Sequence, residues 1–318
     1  MSEDIKPLLG IGACLTGQPV RYSGDAKKRH EHIDAMQAVF DMRNFCPEMA
    51  IGLGVPRKTI RLVGDIESVR LTDSDTQTAD HTLAMRDYAA EVLDSHPDMA
   101  GYVLVKGSPS CGYERVKRYN EAGKVMGNDS RGLFTQTLMA IDPLLPLEED
   151  GRLFDHAIRE NFIVRVYAYH EWKKLLADRG GFHALSKFWS RYKYQVMAHH
   201  IPSYKALGRL LGNAKSQPFE DLQAEFAVTF MQALAHIPNR KGHVNVLNHL
   251  RGYLKKNLSS SQKRQLDTVI EQYREGIVPL VVPMTLLQHF FNEHQHDYID
   301  QQVFMQPYPE KLSLRNNI

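Results

Sequence analysis

The hydrophobic pattern of this chain changes near residue 150, and this change restricts the possible folds more than any other feature. Before it, the sequence has short apolar runs bounded by Gly, Pro or Asp, at residues 8–13, 41–45, 60–64 and 102–107. Such runs are typical of β-strands. Two segments between them carry apolar residues at helical spacing, with Asp25 as one predicted N-cap and Asp75 or Thr76 as the other. The alternation predicts a Rossmann-like α/β domain with a mostly parallel sheet.

The end of this first domain is predicted at residue 150. The turn-rich stretch 126–132 leads into a predicted helix at 133–140, and a last strand follows within 141–153. Beyond it the periodicity becomes helical, broken at Gly and Pro residues, over 152–178, 182–198, 203–212, 217–236, 241–256, 259–275 and 283–297. We therefore expect two domains, an α/β domain at 1–150 and an all-α domain at 151–318.

The composition favours a soluble, cytoplasmic protein. The chain has 318 residues, of which 43% are apolar, so it can bury the cores of two domains. It shows no uncharged apolar run long enough to cross a membrane, and its start has no cationic segment followed by an apolar stretch. An odd number of cysteines, three, argues against a disulfide framework and for a reducing compartment. We expect no membrane partner.

The three cysteines each follow an apolar run at the point where it breaks into a loop. Their contexts are LLGIGAC, MRNFCPE and GYVLVKGSPSCG, which contain Cys14, Cys46 and Cys111. Ligands of open α/β folds bind at the carboxyl edge of the sheet, so three strand ends can bring three sulfurs to one place. The sequence therefore predicts a three-thiolate metal site with one open coordination position.

The residue types alone leave the identity of this site open. Three thiolates and an open position suit a zinc ion or an iron-sulfur cluster that has one iron free to act as a Lewis acid. Alternatively, a free cysteine is a small residue that is often simply buried. The position of all three beside Gly, Pro and Ser in loops favours the metal site.

Other polar residues occur close to the cysteines in sequence. Glu48 follows Cys46 by two residues and can move a proton in the same cavity, although most glutamates are simply solvated. Ser108 and Ser110 lie in GSPSCG, a loop that can relay a proton or be an ordinary turn. The candidate substrate contacts, each equally able to be structural, are Ser110, Arg21, Tyr22 and Arg57.

The charge distribution predicts a polyanionic partner for the second domain. Residues 1–150 contain 17 Lys and Arg against 23 Asp and Glu, whereas residues 151–318 contain 22 against 14. No acidic residue occurs from 179 to 219 or from 226 to 266. The candidate RNA-binding residues, interleaved with Phe188, Trp189, Tyr192, Tyr194 and Tyr204, are Lys187, Arg191, Lys193, Lys205 and Arg209. Such a surface suits phosphate contacts and base stacking, but aromatic residues at helical spacing also form helix cores.

Several motifs resemble known families. The first domain, with ACLTGQPVRYSG, CPEMAIGLGVPR, VLVKGSPSCG and GNDSRGLF, resembles the thiouracil desulfidase family. The second, with FHALSKFWSRYKYQVMAHH and KGHVNVLNHLRGY, resembles the YbgA domain that is often fused to it. The resemblance implies that Cys14, Cys46 and Cys111 hold a 4Fe-4S cluster whose fourth iron captures the substrate sulfur. It also implies that Glu48 and Ser108 transfer protons, with Ser110 as the reserve candidate.

Fusions of these two domains resemble bacterial enzymes that remove sulfur from 4-thiouridine in transfer RNA. The leading hypothesis is therefore a non-redox desulfidase that converts 4-thiouridine in tRNA to uridine and releases sulfide, with no DNA partner. One alternative is desulfuration of small thiopyrimidines, such as free thiouracil or thiouridine. Another is an iron-sulfur protein that binds RNA or senses redox state without turnover.

Overall fold

The computed structural model describes residues 6–75, 79–309, 312 and 314–318. The chain divides into two compact units, Met1–Phe154 and Asp155–Ile318. No helix in these described ranges is both long enough and apolar enough to span a lipid bilayer.

The described residues of the first unit form two four-stranded sheets. Its strands are β1 (Leu8–Gly12), β2 (Asp41–Phe45), β3 (Ile60–Val63), β4 (Arg70–Asp73), β5 (Met99–Leu104), β6 (Val116–Tyr119), β7 (Val125–Ser130) and β8 (Leu147–Glu149). Its helices are α1 (Glu31–Gln37), α2 (Pro47–Ala50), α3 (Thr82–Ser95) and α4 (Leu133–Ile141). The sheet orders are β2-β1-β5-β8 and β4-β3-β6-β7.

The first sheet is entirely parallel, which confirms the predicted α/β class. β1 is buried along its whole length, and β5 is too, as expected for strands covered on both faces. Gly12 at the end of β1 pairs with Phe45 at the end of β2, and Ile11 pairs with Val103 of β5. The loops that follow these three adjacent strands therefore begin side by side.

The second sheet differs from the prediction. The run 60–64 was predicted as a strand and forms β3, but β3 pairs with β4 and β6 rather than with the parallel sheet. The stretch 126–132, predicted as a turn, contributes most of β7, which pairs antiparallel with β6. Its Gly, Asn and Asp residues disfavour a strand locally, and pairing with β6 overrides that preference.

The predicted helix starts in this unit were also wrong where they can be compared. α1 begins at Glu31 and not beside Asp25, and α3 begins at Thr82 after His81 rather than at Asp75. Asp25 instead accepts hydrogen bonds from Arg21 and Ser23 within its loop. Thr76, the other candidate N-cap, lies outside the described residues.

The second unit is helical, as predicted. Its helices are α5 (His156–Asp178), α6 (Gly181–His199), α7 (Ile201–Gly212), α8 (Phe219–Ala235), α9 (Arg240–Tyr253), α10 (Ser260–Glu275), α11 (Val281–Glu293) and α12 (Asp297–Asp300). Local signals set several boundaries. Asp155 caps α5, and Ser259 and Gln262 form a capping box at the start of α10, which Gly276 ends in the left-handed region.

The aromatic residues of α6 form core rather than a stacking platform. Phe188, Tyr192 and Tyr194 are buried, and Phe188 packs against Phe226 and other rings of the helical core. The sequence left two roles open for these three rings, base stacking and helix core, and the structure shows the core, because they face neighbouring helices. The half-buried Trp189 and Tyr204 pack against each other, with ring centroids 5.7 Å apart.

Two buried histidines belong to a polar network inside this unit. His199 donates from Nδ1 to the His236 carbonyl at 2.7 Å and accepts at Nε2 from Gln195 at 2.8 Å. His243 Nδ1 lies 2.6 Å from the Tyr273 hydroxyl. Burial, together with the nearby charge of Arg315, lowers the pKa of His199 to about 4 and that of His243 to about 3. Both side chains are therefore neutral in the folded protein at neutral pH.

This network predicts acid sensitivity. An unfolded histidine titrates near pH 6.5, so below that pH the unfolded chain binds protons that the folded chain does not, and stability falls as pH falls. At pH 5 each histidine should cost about 2 kcal/mol of unfolding free energy relative to pH 7. Denaturant unfolding of the full chain at the two pH values measures this loss. His199→Gln should reduce the loss, whereas His183→Gln, at an exposed position, should not; equal pH dependence in both variants contradicts the prediction.

Candidate functional site

The three cysteines surround one cavity at the carboxyl edge of the parallel sheet. Cys14 lies in a short 3-10 turn after β1, and Cys46 follows β2 directly and precedes α2. Cys111 lies in the loop between β5 and β6. All three line a cavity of about 270 Å³.

The loop that carries Cys111 is fixed by backbone contacts with the start of α4. The amides of Gly132, Leu133 and Phe134 donate to the carbonyls of Gly112, Pro109 and Ser110 at 2.8–3.0 Å. Gly132 must be glycine for this approach, since a Cβ atom there would lie 2.3 Å from the Ser110 carbonyl oxygen. The free N–H groups at the beginning of a helix thus hold the third cysteine in place.

Cys14 and Cys111 are buried, Cys46 is half-buried, and the charge state of each thiol affects the others. Burial raises the pKa of Cys14 to about 11 against the opposing charge of Lys27, and burial also raises the pKa of Cys46. Burial raises the pKa of Cys111 well above its usual range, and charges on Glu48, Cys46 and Cys14 raise it further. Neighbouring thiolates therefore disfavour one another, and a bound cation would stabilise all three, because a coordinated thiol loses its proton.

The donor set of this cavity includes three thiols. Within the described ranges, no three His, Cys, Asp or Glu side chains are grouped closely enough to hold a metal ion. Thiolates are the usual ligands of iron-sulfur clusters, so the residues that line the cavity fit such a cluster by their chemistry.

Glu48 lies in the wall of the same cavity, held by two partners. Its Oε2 accepts from Nε and Nη2 of Arg57 at 2.8 and 2.5 Å, and its Oε1 accepts from the Ser110 hydroxyl at 2.9 Å. Arg57 is itself fixed by donating to the carbonyls of Val20 and Gly54, both at 2.9 Å. Hydrogen bonds to both carboxylate oxygens therefore fix the orientation of Glu48.

The two serines of GSPSCG have different surroundings. The Ser108 hydroxyl accepts from the amides of Ser110 and Cys111 at 3.2 and 3.1 Å, and its hydrogen bond opposes the rise in the pKa of the Cys111 thiol. Ser108 lines the cavity. Ser110 is fully buried and does not, so the hydroxyl predicted to touch substrate instead contacts Glu48. Sequence spacing could not separate these two roles.

The predicted substrate contacts Arg21, Tyr22 and Arg57 all line the cavity. Arg57 is buried and is occupied with Glu48 and backbone carbonyls. Arg21 donates to Asp25 at 3.0 Å, and Tyr22 is 48% exposed. Arg57 is therefore committed to orienting Glu48, whereas Arg21 lines the cavity in a pair with Asp25 and Tyr22 lines it as an exposed ring.

Sequence reasoning missed a buried acidic group at the end of β8. Asp150 binds Lys27 Nζ at 2.9 Å and accepts from the amide of Lys106 at 3.1 Å, and both lysines line the cavity. Glu149 beside it accepts from the amide of Tyr113 at 3.1 Å, just after Cys111. The available signal was an acidic residue directly after a strand of the parallel sheet, where ligand-binding loops meet.

The predicted RNA-binding cations of the second unit are not equally free. Lys187, Lys205 and Arg209 are exposed. Arg191 pairs with Glu171 at 3.2 Å, and the Lys193 ammonium lies over the rings of Tyr194 and Tyr298. The first three are therefore the better candidates for contacts with a polyanion.

Comparisons with known proteins agree with this division of the chain. The 2-thiouracil desulfurase family matches residues 9–150, and the family described as Protein of unknown function (DUF1722) matches residues 193–309. Uncharacterized protein YbgA of Escherichia coli (strain K12) is 28% identical over 159 residues, which cover 50% of this chain and 94% of that protein. A solved structure of the [4Fe-4S]-dependent thiouracil desulfidase TudS is 27% identical, with a TM-score of 0.37, covering 46% of this chain and 93% of that one.

The two family matches lie one after the other, and each falls within one compact unit. The chain therefore combines a domain of the 2-thiouracil desulfurase family with a YbgA-like DUF1722 domain that follows it.

Proposed function

We propose that the protein is an iron-sulfur-dependent desulfidase that hydrolyses the carbon-sulfur bond of a thiopyrimidine and releases sulfide. One observation carries the proposal: in a domain of a desulfurase family, three cysteines open onto a cavity whose wall contains an oriented carboxylate. The proposed ligands of a 4Fe-4S cluster are Cys14, Cys46 and Cys111. When bound, such a cluster supplies a thiophilic Lewis acid that polarises the carbon-sulfur bond.

The reaction needs water and no external electrons. Oxygen from water replaces sulfur at the ring carbon, and the sulfur leaves as sulfide with the protons of that water. Glu48 is the proposed group that accepts a proton from the water and passes it to the departing sulfur, since Glu48 lines the cavity. Ser110 positions Glu48 through its hydroxyl. Ser108, which lines the cavity beside Cys111, is the second proposed proton-transfer residue.

The proposed substrate is 4-thiouridine within tRNA. The second unit carries exposed Lys187, Lys205 and Arg209 in a stretch without acidic residues, which suits contacts with phosphates. A nucleotide in folded RNA must be extruded to reach a buried centre, and binding energy from a second domain can offset the unstacking cost of a few kcal/mol. The three free thiols support a reducing compartment, and we propose the cytoplasm.

Sulfide release from three substrates tests the proposal. Protein purified and reconstituted without oxygen is given thiolated tRNA, 4-thiouridine nucleoside or free 2-thiouracil, and sulfide and the desulfurated pyrimidine are measured together. We expect turnover on at least one, with the highest kcat/KM for tRNA. Preference for the free base would favour the small-molecule alternative. Iron-loaded protein that releases no sulfide from any of them would overturn the proposal and favour a binding or sensing role.

A further inference from the structure

A second groove lies beside the cavity, on the mixed sheet of the first unit. It has a volume of about 600 Å³ and shares a wall with the cavity, formed by Thr59, Ile60, Gly107 and Pro109. Its other sides include Arg61 of β3 and Lys117 and Tyr119 of β6. A ligand that fills the cavity and continues past Thr59 or Gly107 would therefore enter this groove.

Strand pairing places the basic side chains of the groove together. β3 and β6 are parallel, with Leu62 opposite Arg118, so Arg61 and Lys117 occupy neighbouring positions on one face of the sheet. Tyr119 lies two residues farther along and shares that face. The Arg61 guanidinium lies 5.4 Å from the centre of the Tyr119 ring, which holds it in the groove.

The charges of Arg61 and Lys117 are not neutralised within the described part of the chain. The carboxylates near this sheet have other partners: Asp129 binds Arg118, Glu121 binds Arg70, and Glu114 binds Arg115 and Arg152. Arg61 Nε is buried and has no hydrogen-bond partner among the described residues. The Arg61 guanidinium, which lines the groove, therefore has a charge that no described carboxylate pairs with, and such charged donors bind anionic oxygens strongly.

We propose that this groove binds the sugar-phosphate backbone of an RNA strand whose thiolated base occupies the cavity. The inference rests on the proposed function and makes it more specific, because it gives the first domain its own contacts with the strand. Arginine suits phosphate oxygens through its planar set of donors, and Lys117 adds a second positive charge. A free base has no phosphate to reach the groove, so the groove discriminates between a strand and a free base.

The test compares Arg61→Ala and Lys117→Ala with Arg86→Ala, which removes an exposed arginine of α3 outside the groove. The substrates are 2-thiouracil, 4-thiouridine monophosphate and a short RNA oligonucleotide that contains one 4-thiouridine. We expect each groove variant to lose about tenfold in kcat/KM on the oligonucleotide and to keep wild-type activity on 2-thiouracil. The slope of log RNA affinity against log salt concentration should become shallower by about one in each groove variant. Arg86→Ala should behave as wild type.

Two results would overturn the groove assignment: unchanged oligonucleotide kinetics in both groove variants, or an equal loss on the monophosphate, which would make a single nucleotide the ligand. Lys117 is exposed, so its variant keeps the test valid if Arg61→Ala does not fold. Failure of the proposed function would look different, since the wild type would then release no sulfide from any substrate. In that case binding of the unthiolated oligonucleotide by the three variants still tests the groove, and equal affinities would reject it.

Discussion

Alanine in place of Cys111 is expected to remove bound iron, acid-labile sulfide and the brown absorbance of the anaerobically purified protein. Cys111 is buried in the cavity that also contains Cys14 and Cys46, and three thiolates would bind three irons of a four-iron cluster and leave the fourth open. Loss of one ligand leaves two, so Cys14→Ala and Cys46→Ala should have the same effect. Iron and sulfide per chain, measured before and after reconstitution, give the result, and desulfidase activity should disappear in all three variants.

The control for this experiment is Ser130→Ala, a buried substitution in the same unit but outside the cavity wall. It should keep the full iron content. Circular dichroism and thermal unfolding show whether each cysteine variant is folded, since alanine at these sites removes little volume. Full iron retention in all three cysteine variants would reject the proposed ligands, and retention in one alone would reject that cysteine.

The parallel sheet could be predicted from sequence because its strands are continuous apolar runs. β1 and β5 are buried on both faces, and the cysteines follow strand ends directly or after one loop, so local pattern and tertiary position agree. The mixed sheet could not be predicted in the same way. β6 has the sequence VKRY and β7 has VMGNDS, and their pairing with each other rather than their composition makes them strands.

The contacts that complete the site could not be predicted from the local sequence pattern. Glu48 and Ser110 are 62 positions apart, and Lys27 and Asp150 are 123 apart, so only the fold brings each pair together. Helical spacing in α6 was equally compatible with a core and with an RNA-binding face. In the structure Phe188, Tyr192 and Tyr194 are buried because the adjacent helices cover that face, so these residues belong to the core.

Glutamine in place of Glu48 is expected to lower kcat by about 10² to 10⁴-fold, the usual contribution of a general acid-base group, while iron content stays unchanged. The amide has the same shape as the carboxylate. Its oxygen can still accept from Arg57, and its nitrogen can donate to the Ser110 hydroxyl, so the cavity wall should be preserved. Single-turnover rates and iron content of Glu48→Gln measure the two effects separately. Glu67→Gln, an exposed substitution in the same unit, should alter neither.

The two serines give the sharpest check on this assignment, because they act on different parts of the site. Ser110→Ala removes the partner of Glu48 Oε1 and should lower kcat with little change in KM or iron content. Ser108→Ala removes the acceptor for two loop amides next to Cys111 and should lower iron content as well. If Glu48→Gln keeps wild-type kcat while Ser108→Ala abolishes turnover in fully iron-loaded protein, proton transfer belongs to Ser108 and the role proposed for Glu48 is wrong.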